Sequence, residues 1–438
     1  MPSPSPRRAP LALAALALCA LGAPGRAADL DKDLERAAKA NNAAGMVAAA
    51  EAMRDAGPSK KDVAVLLRVG SAIQHRDVYV ACRDALAAAP AAAREEVVKS
   101  LTKGKAAALR VLCADALGGA GDDAAAAALA DALDDKETPV RLAAIRALAR
   151  LERKACVEPL FSRFAKVDPK GGGAECEELF LALQKLTGHA FEALEDWRKW
   201  WSTVPADFDP RTRPRTGGEE GTTRTREGQG KIFESVVASQ AFVLILDISS
   251  SMRVIDMPPG QTHTDANGRT ANYKDPGMGW PPNEESRFRR AQNEFVQFIE
   301  GLTPRTKFSL VVFGAKEHVK TWKDQLTPAT EPNKKQAIEW VRGLQWSPAT
   351  ETDLALERAF SIPGADTFYL FSDGIPERQQ GGANVDIPQD EVITKAQTLN
   401  LTRKARLHCY GFATASAQTK DFLRRLAAAN DGDYKDIR

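Results

Sequence analysis

The pattern of apolar and polar positions changes about halfway along the chain. Residues 29–204 are rich in Ala and Leu and poor in β-branched residues, which predicts one amphipathic helix after another. Residues 205–236 are rich in Pro, Gly, Thr and charge, which predicts a flexible linker. From residue 237 onward, short apolar runs alternate with helical patterns. The chain is therefore predicted to have several domains: an all-α part, a linker, and an α/β part over 237–438.

The apolar runs of the second part predict a sheet that is buried on both faces. The expected strands are nearly continuous apolar segments, at 241–246, 307–313, 367–371, 407–413 and 433–437. Strands of this kind, with a helix between each pair, are typical of a doubly wound, Rossmann-like parallel sheet. Such sheets bind ligands at the carboxyl ends of their strands. Candidate chemistry is therefore expected where these strands end.

The helical part contains an internal repeat. The segments VACRDAL, VLCADAL and LAAIRAL begin at residues 80, 111 and 142, a constant spacing of 31. A pair of amphipathic helices cannot bury its apolar faces alone, so such repeats stack on one another. The signature at 139–148, followed by Val157-Glu158-Pro159-Leu160, resembles HEAT-like repeats. An Ala-rich helical bundle is the alternative; the resemblance implies a solenoid over 29–204 with an extended protein-binding surface.

Oxygen-bearing side chains follow two of the predicted strands. Asp247, Ser249 and Ser251 come directly after the run AFVLIL, and Asp373 follows the strand at 367–371. Carboxylate and hydroxyl oxygens are the ligands that Mg²⁺ takes in proteins. A threonine hydroxyl stands before the helix predicted at 353–360. Taken alone, the short Asp-x-Ser-x-Ser run could equally cap a helix. Its combination with the later residues predicts a cation site.

Residues 237–438 resemble a von Willebrand factor A domain with a metal-ion-dependent adhesion site. That resemblance implies the ligand set Asp247, Ser249, Ser251, Thr350 and Asp373, with Mg²⁺ or Mn²⁺ as the ion. Thr352 is a rival for the threonine position. Thr350 is preferred because it places Ala355 and Leu356 in phase with the buried face of the following helix. The segment 253–285 is an added loop, rich in Pro, Gly, Asn and Asp, that either shapes the ligand face or is a tolerated insertion.

Binding is a better interpretation than catalysis. The five histidines form no His-Glu-x-x-His motif, and no Gly-x-Ser-x-Gly is present, so no enzyme activity is expected. The resemblance implies that the cation takes a carboxylate from a protein partner as its last ligand. The helical repeats would offer a second interaction surface. The alternative is a regulatory or chaperone-like component of an envelope complex, in which the metal is structural.

The first 28 residues predict export. Arg7 and Arg8 precede the apolar run 11–23, and small residues follow at Gly25 and Ala27, as in a secretory signal of a bacterial type. The mature protein is then expected in the periplasm, at the cell surface or outside the cell. No membrane span is predicted after the signal. The net charge of +2 gives no electrostatic reason to expect nucleic acid as a partner. The cysteines after the signal, an odd number, are expected to be small buried residues.

Overall fold

In the computed structural model, the chain has an all-helical first half and a sheet covered by helices in the second half. The structure describes residues 29–167, 173–191, 193–204, 206–212, 231–233, 235–277 and 283–437. The predicted signal segment 1–28 and most of the predicted linker lie outside these residues. None of the described helices is long and apolar enough to cross a membrane.

The first half is built from paired helices that share one apolar core. They are α1 (Leu30–Lys39), α2 (Ala43–Ala56), α3 (Lys60–Ala72), α4 (Arg76–Ala87), α5 (Ala91–Lys103), α6 (Ala107–Ala120), α7 (Asp123–Ala132), α8 (Thr138–Leu151), α9 (Val157–Lys166), α10 (Ala174–Thr187) and α11 (Leu194–Trp201). The repeated segments fall on α4, α6 and α8, which pack side by side as one layer. Cys82 and Cys113 occupy the same position in two of these helices, and both are buried with free thiols.

The second half contains a mixed sheet, and helices cover both of its faces as predicted. Its strands are β1 (Lys231–Ile232), β2 (Ser235–Val236), β3 (Ala241–Asp247), β4 (Ile255–Asp256), β5 (His263–Thr264), β6 (Thr270–Ala271), β7 (Tyr273–Lys274), β8 (Lys307–Phe313), β9 (Lys320–Thr321), β10 (Thr327–Pro328), β11 (Thr367–Ser372), β12 (Glu377–Gln380), β13 (Ala383–Asp386), β14 (Arg406–Phe412) and β15 (Tyr434–Ile437). Its helices are α12 (Arg287–Glu300), α13 (Glu331–Arg342), α14 (Thr352–Ser361), α15 (Gln389–Asn400) and α16 (Ala417–Ala428).

The order of the main sheet is β10-β8-β3-β11-β14-β15. Strands β8, β3, β11, β14 and β15 are parallel, and the short β9 and β10 join the edge strand β8 in antiparallel orientation. The expectation of a purely parallel sheet is therefore corrected at this edge. Two-residue strands carry little apolar pattern, so the sequence did not reveal them.

Strand β3 is apolar along its whole length because it is central. Phe242 and Leu244 face the core that α12 and α13 cover, whereas Val243 and Ile245 face the core of α14, α15 and α16. Alternate residues of a strand point to opposite faces, so a doubly covered strand has no polar side. Asp247 is the first residue of β3 that cannot join either apolar core. It lies where the strand leaves the sheet.

The segment 253–285 was predicted as a loop, and this is wrong in part. Residues 255–274 form an arm of two small antiparallel pairs, β4 with β7 and β5 with β6. A second hairpin, β12 with β13, follows β11 and was not predicted. Arg253 anchors the base of the arm: its guanidinium donates to the carbonyl oxygens of Ser250 and Gly277 and lies 5.1 Å from the ring centre of Trp346.

The helical array touches the sheet domain along the amino ends of the parallel strands. Glu178 of α10 accepts hydrogen bonds from Arg406, at the start of β14, and from Arg146 of α8. Arg146 also donates to Asp431, just before β15, at 2.8 Å. These two guanidinium groups outweigh the effect of burial and lower the pKa of Glu178 to about 2. A buried carboxylate that stays charged requires such partners, so this contact is specific.

A second buried ion pair lies in the same contact between the helical array and the sheet domain, which is called the seam below. Asp115 of α6 accepts from the Lys404 ammonium at 2.5 Å and from the hydroxyl of Tyr79 of α4 at 2.6 Å. The Lys404 ammonium lies 5.4 Å from the Tyr79 ring centre. Each of α4, α6, α8 and α10 therefore contributes one of these polar residues to the seam.

Candidate metal centre

The predicted ligands converge at the carboxyl ends of β3 and β11. Asp247 ends β3, and Ser249 follows two residues later. A short 3-10 turn over Ser250–Arg253 then brings Ser251 back towards the sheet. The hydroxyl oxygens of Ser249 and Ser251 lie 2.9 Å apart. The Ser251 hydroxyl donates to Asp373 Oδ1 at 2.7 Å. Two adjacent parallel strands thus present two carboxylates and two hydroxyls at one edge of the sheet.

Thr350 lies at the same place, and Thr352 does not. A methyl group added at Gly374 would lie 3.2 Å from Thr350 Oγ1 and 3.6 Å from Ser251 Oγ, so both hydroxyls border the same small space. Thr352 is the first residue of α14, and its hydroxyl turns back to the carbonyl oxygen of Thr350. The glycine leaves room at the centre of the predicted ligand set.

The two carboxylates are buried and close enough to affect each other. Asp247 is fully buried; its Oδ1 accepts from the Ser249 amide at 2.7 Å and its Oδ2 from the Ser372 hydroxyl at 2.5 Å. Burial, and then the charge of Asp373, raise the pKa of Asp247 to about 7. A divalent cation would offset this repulsion. The donor set of two carboxylates and three hydroxyls therefore fits Mg²⁺ or Mn²⁺.

One charged group at this edge was missed in the sequence. Arg287, the first residue of α12, donates from Nη1 to Asp373 Oδ2 at 2.5 Å and from Nε to Asp256 Oδ1 at 2.8 Å. Its side chain is 5% exposed. An arginine after Ser286, which caps α12, gives no sequence signal of a site, because no local spacing links it to Asp373, 86 positions later.

In the described part of the chain, His, Cys, Asp and Glu side chains do not form a further metal-binding group, since no three of them lie together as a metal cluster. The candidate centre depends on hydroxyls, with only Asp247 and Asp373 as carboxylates. His263 lies on β5 of the arm and is partly exposed.

Ser347 supports the loop that carries the predicted serine ligands. Ser347 pairs with Ser249, and its hydroxyl accepts from the Ala315 amide at 3.1 Å and lies 2.6 Å from His318 Nδ1. A methyl group added at Gly314 would lie 2.4 Å from this hydroxyl oxygen. The glycine is required for the close approach of two loops, which fixes the turn that carries Ser249 and Ser251.

Comparisons with known proteins agree on the second half of the chain. The family model described as von Willebrand factor type A domain matches residues 284–436. Over 151 residues the chain is 26% identical to von Willebrand factor A domain-containing protein 3B of Homo sapiens, which covers 34% of this chain and 11% of that protein. Protein 3A of Homo sapiens is 29% identical over 127 residues, covering 29% of this chain and 10% of its own length. The chain thus spans about a tenth of these curated relatives.

A solved structure also matches. It is a von Willebrand factor type A protein from Catenulispora acidiphila, with a TM-score of 0.33 and 20% identity, and the match covers 46% of this chain and 40% of that one. The family match begins after Asp247, Ser249 and Ser251, and includes Thr350 and Asp373. Together with the sheet order, the family match assigns the fold of residues 284–436. Residues 284–436 of this chain therefore belong to a von Willebrand factor type A domain.

Proposed function

We propose that this chain is an exported protein-binding protein, not an enzyme, whose A domain holds Mg²⁺ or Mn²⁺ and uses it to bind an acidic group of a partner protein. One observation carries the proposal: Asp247, Ser249, Ser251, Thr350 and Asp373 come together at the carboxyl edge of the sheet. An ion held mainly by neutral hydroxyls keeps much of its positive charge, so it attracts an additional carboxylate.

The surroundings of the site support protein binding. Two hairpins flank it: the arm over 255–274 and the pair β12–β13, whose first residue Glu377 pairs with Thr350. Among the described residues, the large apolar side chains with high exposure are Tyr273, 40% exposed on the arm, and Val385, 46% exposed on the second hairpin. Aromatic side chains are enriched in protein interfaces.

The helical array provides a second surface in this proposal, and the HEAT-like relationship remains part of it. Export rests on the first 28 residues, which lie outside the described part of the chain. Under this proposal the mature protein works in the periplasm, at the cell surface or outside the cell.

The first experiment measures cation binding and then carboxylate binding. Mg²⁺ and Mn²⁺ are titrated calorimetrically into the wild type and two variants. Asp247→Ala removes a proposed ligand, whereas Ser250→Ala changes the residue between the proposed ligands Ser249 and Ser251. We expect binding to be lost in Asp247→Ala and kept in Ser250→Ala.

The second experiment uses peptide arrays in which each Asp- or Glu-containing peptide has an Asn or Gln counterpart. Binding should require the acid and the cation, and should disappear in EDTA. Capture from an envelope extract, with Mg²⁺ or EDTA, then identifies the natural partner. If chelation lowers the melting temperature but leaves capture and peptide binding unchanged, the ion is structural and the adhesion mechanism is wrong.

A further inference from the structure

Arg287 is a buried positive charge inside the candidate metal centre. Its Nη1 donates to Asp373 Oδ2 at 2.5 Å, while Asp373 Oδ1 accepts from the Ser251 hydroxyl at 2.7 Å. Both oxygens of this carboxylate are therefore engaged. The Asp373 side chain is fully buried, so its charge needs a nearby cation. Arg287 provides that charge from within the protein.

The same guanidinium is held from its other side. Its Nε donates to Asp256 on β4 at 2.8 Å, and its Nη2 donates to the Thr414 hydroxyl. Asp256 also accepts from Arg290 Nη1 at 2.9 Å, and Arg290 shows no bond to Asp373. If Asp373 turns towards a divalent ion, Arg287 still has Asp256 and Thr414 as partners. The contact with Asp373 can thus be given up without leaving the arginine unpaired.

From this arrangement we infer that Arg287 is an internal counter-charge that competes with the divalent cation for Asp373 and so sets the cation affinity of the site. The inference rests on the proposed function, in which the site binds such a cation. A single positive charge about 6 Å from a divalent ion weakens binding roughly tenfold even at the dielectric constant of water. Arg287 is a positioning residue here, since it acts through Asp373.

The test is Mn²⁺ titration of the wild type and three variants. Arg287→Gln removes the charge, Arg287→Lys keeps it, and Arg290→Gln removes a neighbouring charge that touches Asp256 but not Asp373. We expect Arg287→Gln to bind Mn²⁺ about tenfold more tightly than the wild type. The Mn²⁺ affinity of both control variants should stay within about threefold of the wild-type affinity. On a logarithmic scale, this is less than half of the change expected for Arg287→Gln.

The direction of the change makes the test decisive. Damage to the fold can only weaken cation binding, so tighter binding by Arg287→Gln supports the inference, and unchanged or weaker binding overturns it. If Arg287→Gln is too unstable to titrate, the readout is the rise in melting temperature caused by saturating Mn²⁺. That rise should exceed the wild-type rise, because the ion replaces the missing charge. An equal or smaller rise overturns the inference.

Failure of the proposed function gives a different result. In that case neither the wild type nor any of the three variants binds Mn²⁺ at millimolar concentration. Binding by the wild type with the wrong order of affinities refutes only the role of Arg287.

Discussion

Asp247 should reduce the stability of the domain when no cation is present, and Asp247→Asn should remove that cost. The carboxyl group is fully buried beside Asp373, and its pKa is raised to about 7 by burial and then by that neighbouring charge. Asparagine has nearly the same shape. Its Oδ1 can still accept from the Ser249 amide, and its Nδ2 can donate to Ser372 Oγ once that hydroxyl rotates. The variant therefore loses a buried charge without losing its contacts.

The magnitude follows from the shift in pKa. The pKa of the Asp247 carboxyl rises from 3.8 to about 7 on folding. Each pKa unit corresponds to about 1.4 kcal/mol, so the loss in the free energy of unfolding is about 4 kcal/mol at most. The native carboxyl binds its proton more tightly than the unfolded one. The contribution of this group to stability therefore falls as the pH rises from about 4 to about 7 and stays low above that. Between pH 5 and pH 8 the fall should be about 3 kcal/mol.

Urea denaturation in EDTA at pH 5 and pH 8 measures this effect. We expect Asp247→Asn to be more stable than the wild type, with the larger difference at pH 8. Adding Mg²⁺ should then stabilise the wild type and leave the variant unchanged. Asp366→Asn is the matched control, because Asp366 is a half-buried carboxyl at the opposite end of β11, with its pKa raised to about 6 mainly by burial. That control should also gain stability in EDTA, but it should keep the response to Mg²⁺.

Two results would refute this reasoning. One is an Asp247→Asn variant that is less stable than the wild type at pH 8 in EDTA. The other is a stability difference between the two proteins that does not change from pH 5 to pH 8. Either result would mean that the two carboxylates of the site do not oppose each other in the folded protein.

Three other substitutions test neighbouring parts of the structure. Gly314→Ala forces a methyl group to 2.4 Å from Ser347 Oγ and should cost about 1–3 kcal/mol in urea denaturation; full stability would contradict the close approach. Thr350→Val should weaken Mn²⁺ binding at least about tenfold in calorimetric titration, whereas Thr352→Val should leave it within about threefold, and equal losses would contradict the assignment. Glu178→Gln removes the buried carboxylate that Arg146 and Arg406 share, so that only Arg146 keeps an acidic partner, and it should cost about 3–5 kcal/mol, seen as a lower melting temperature of the whole chain.

Much of the fold was predictable because burial leaves a strong pattern in the sequence. The expected strands at 307–313 and 367–371 agree with β8 and β11 to within one residue. Ala355 and Leu356 are both buried on α14, as the phase argument that favours Thr350 over Thr352 requires. The meeting of the strand ends also followed from topology alone, since parallel neighbours end at the same edge.

The remaining features depend on contacts between distant residues that have no local pattern. Glu178 and Arg406 are 228 positions apart, and each looks like an ordinary surface charge in its own segment. The same is true of Arg287 and Asp373, 86 positions apart. The arm over 255–274 was taken for a loop because its paired segments are two residues long, too short for an alternating pattern to be visible.

The position of the seam determines which surfaces of the two halves remain accessible to partners. The array contacts residues just before or at the start of the parallel strands, such as Asp431 and Arg406, whereas the candidate metal centre lies at the opposite ends of the same strands. Docking therefore leaves the ligand-binding edge accessible and fixes its orientation relative to the array. It also occupies the layer of α4, α6, α8 and α10. A partner of the array must then use surface outside that layer, such as the row formed by α3, α5, α7 and α9, or displace the A domain and break the buried ion pairs.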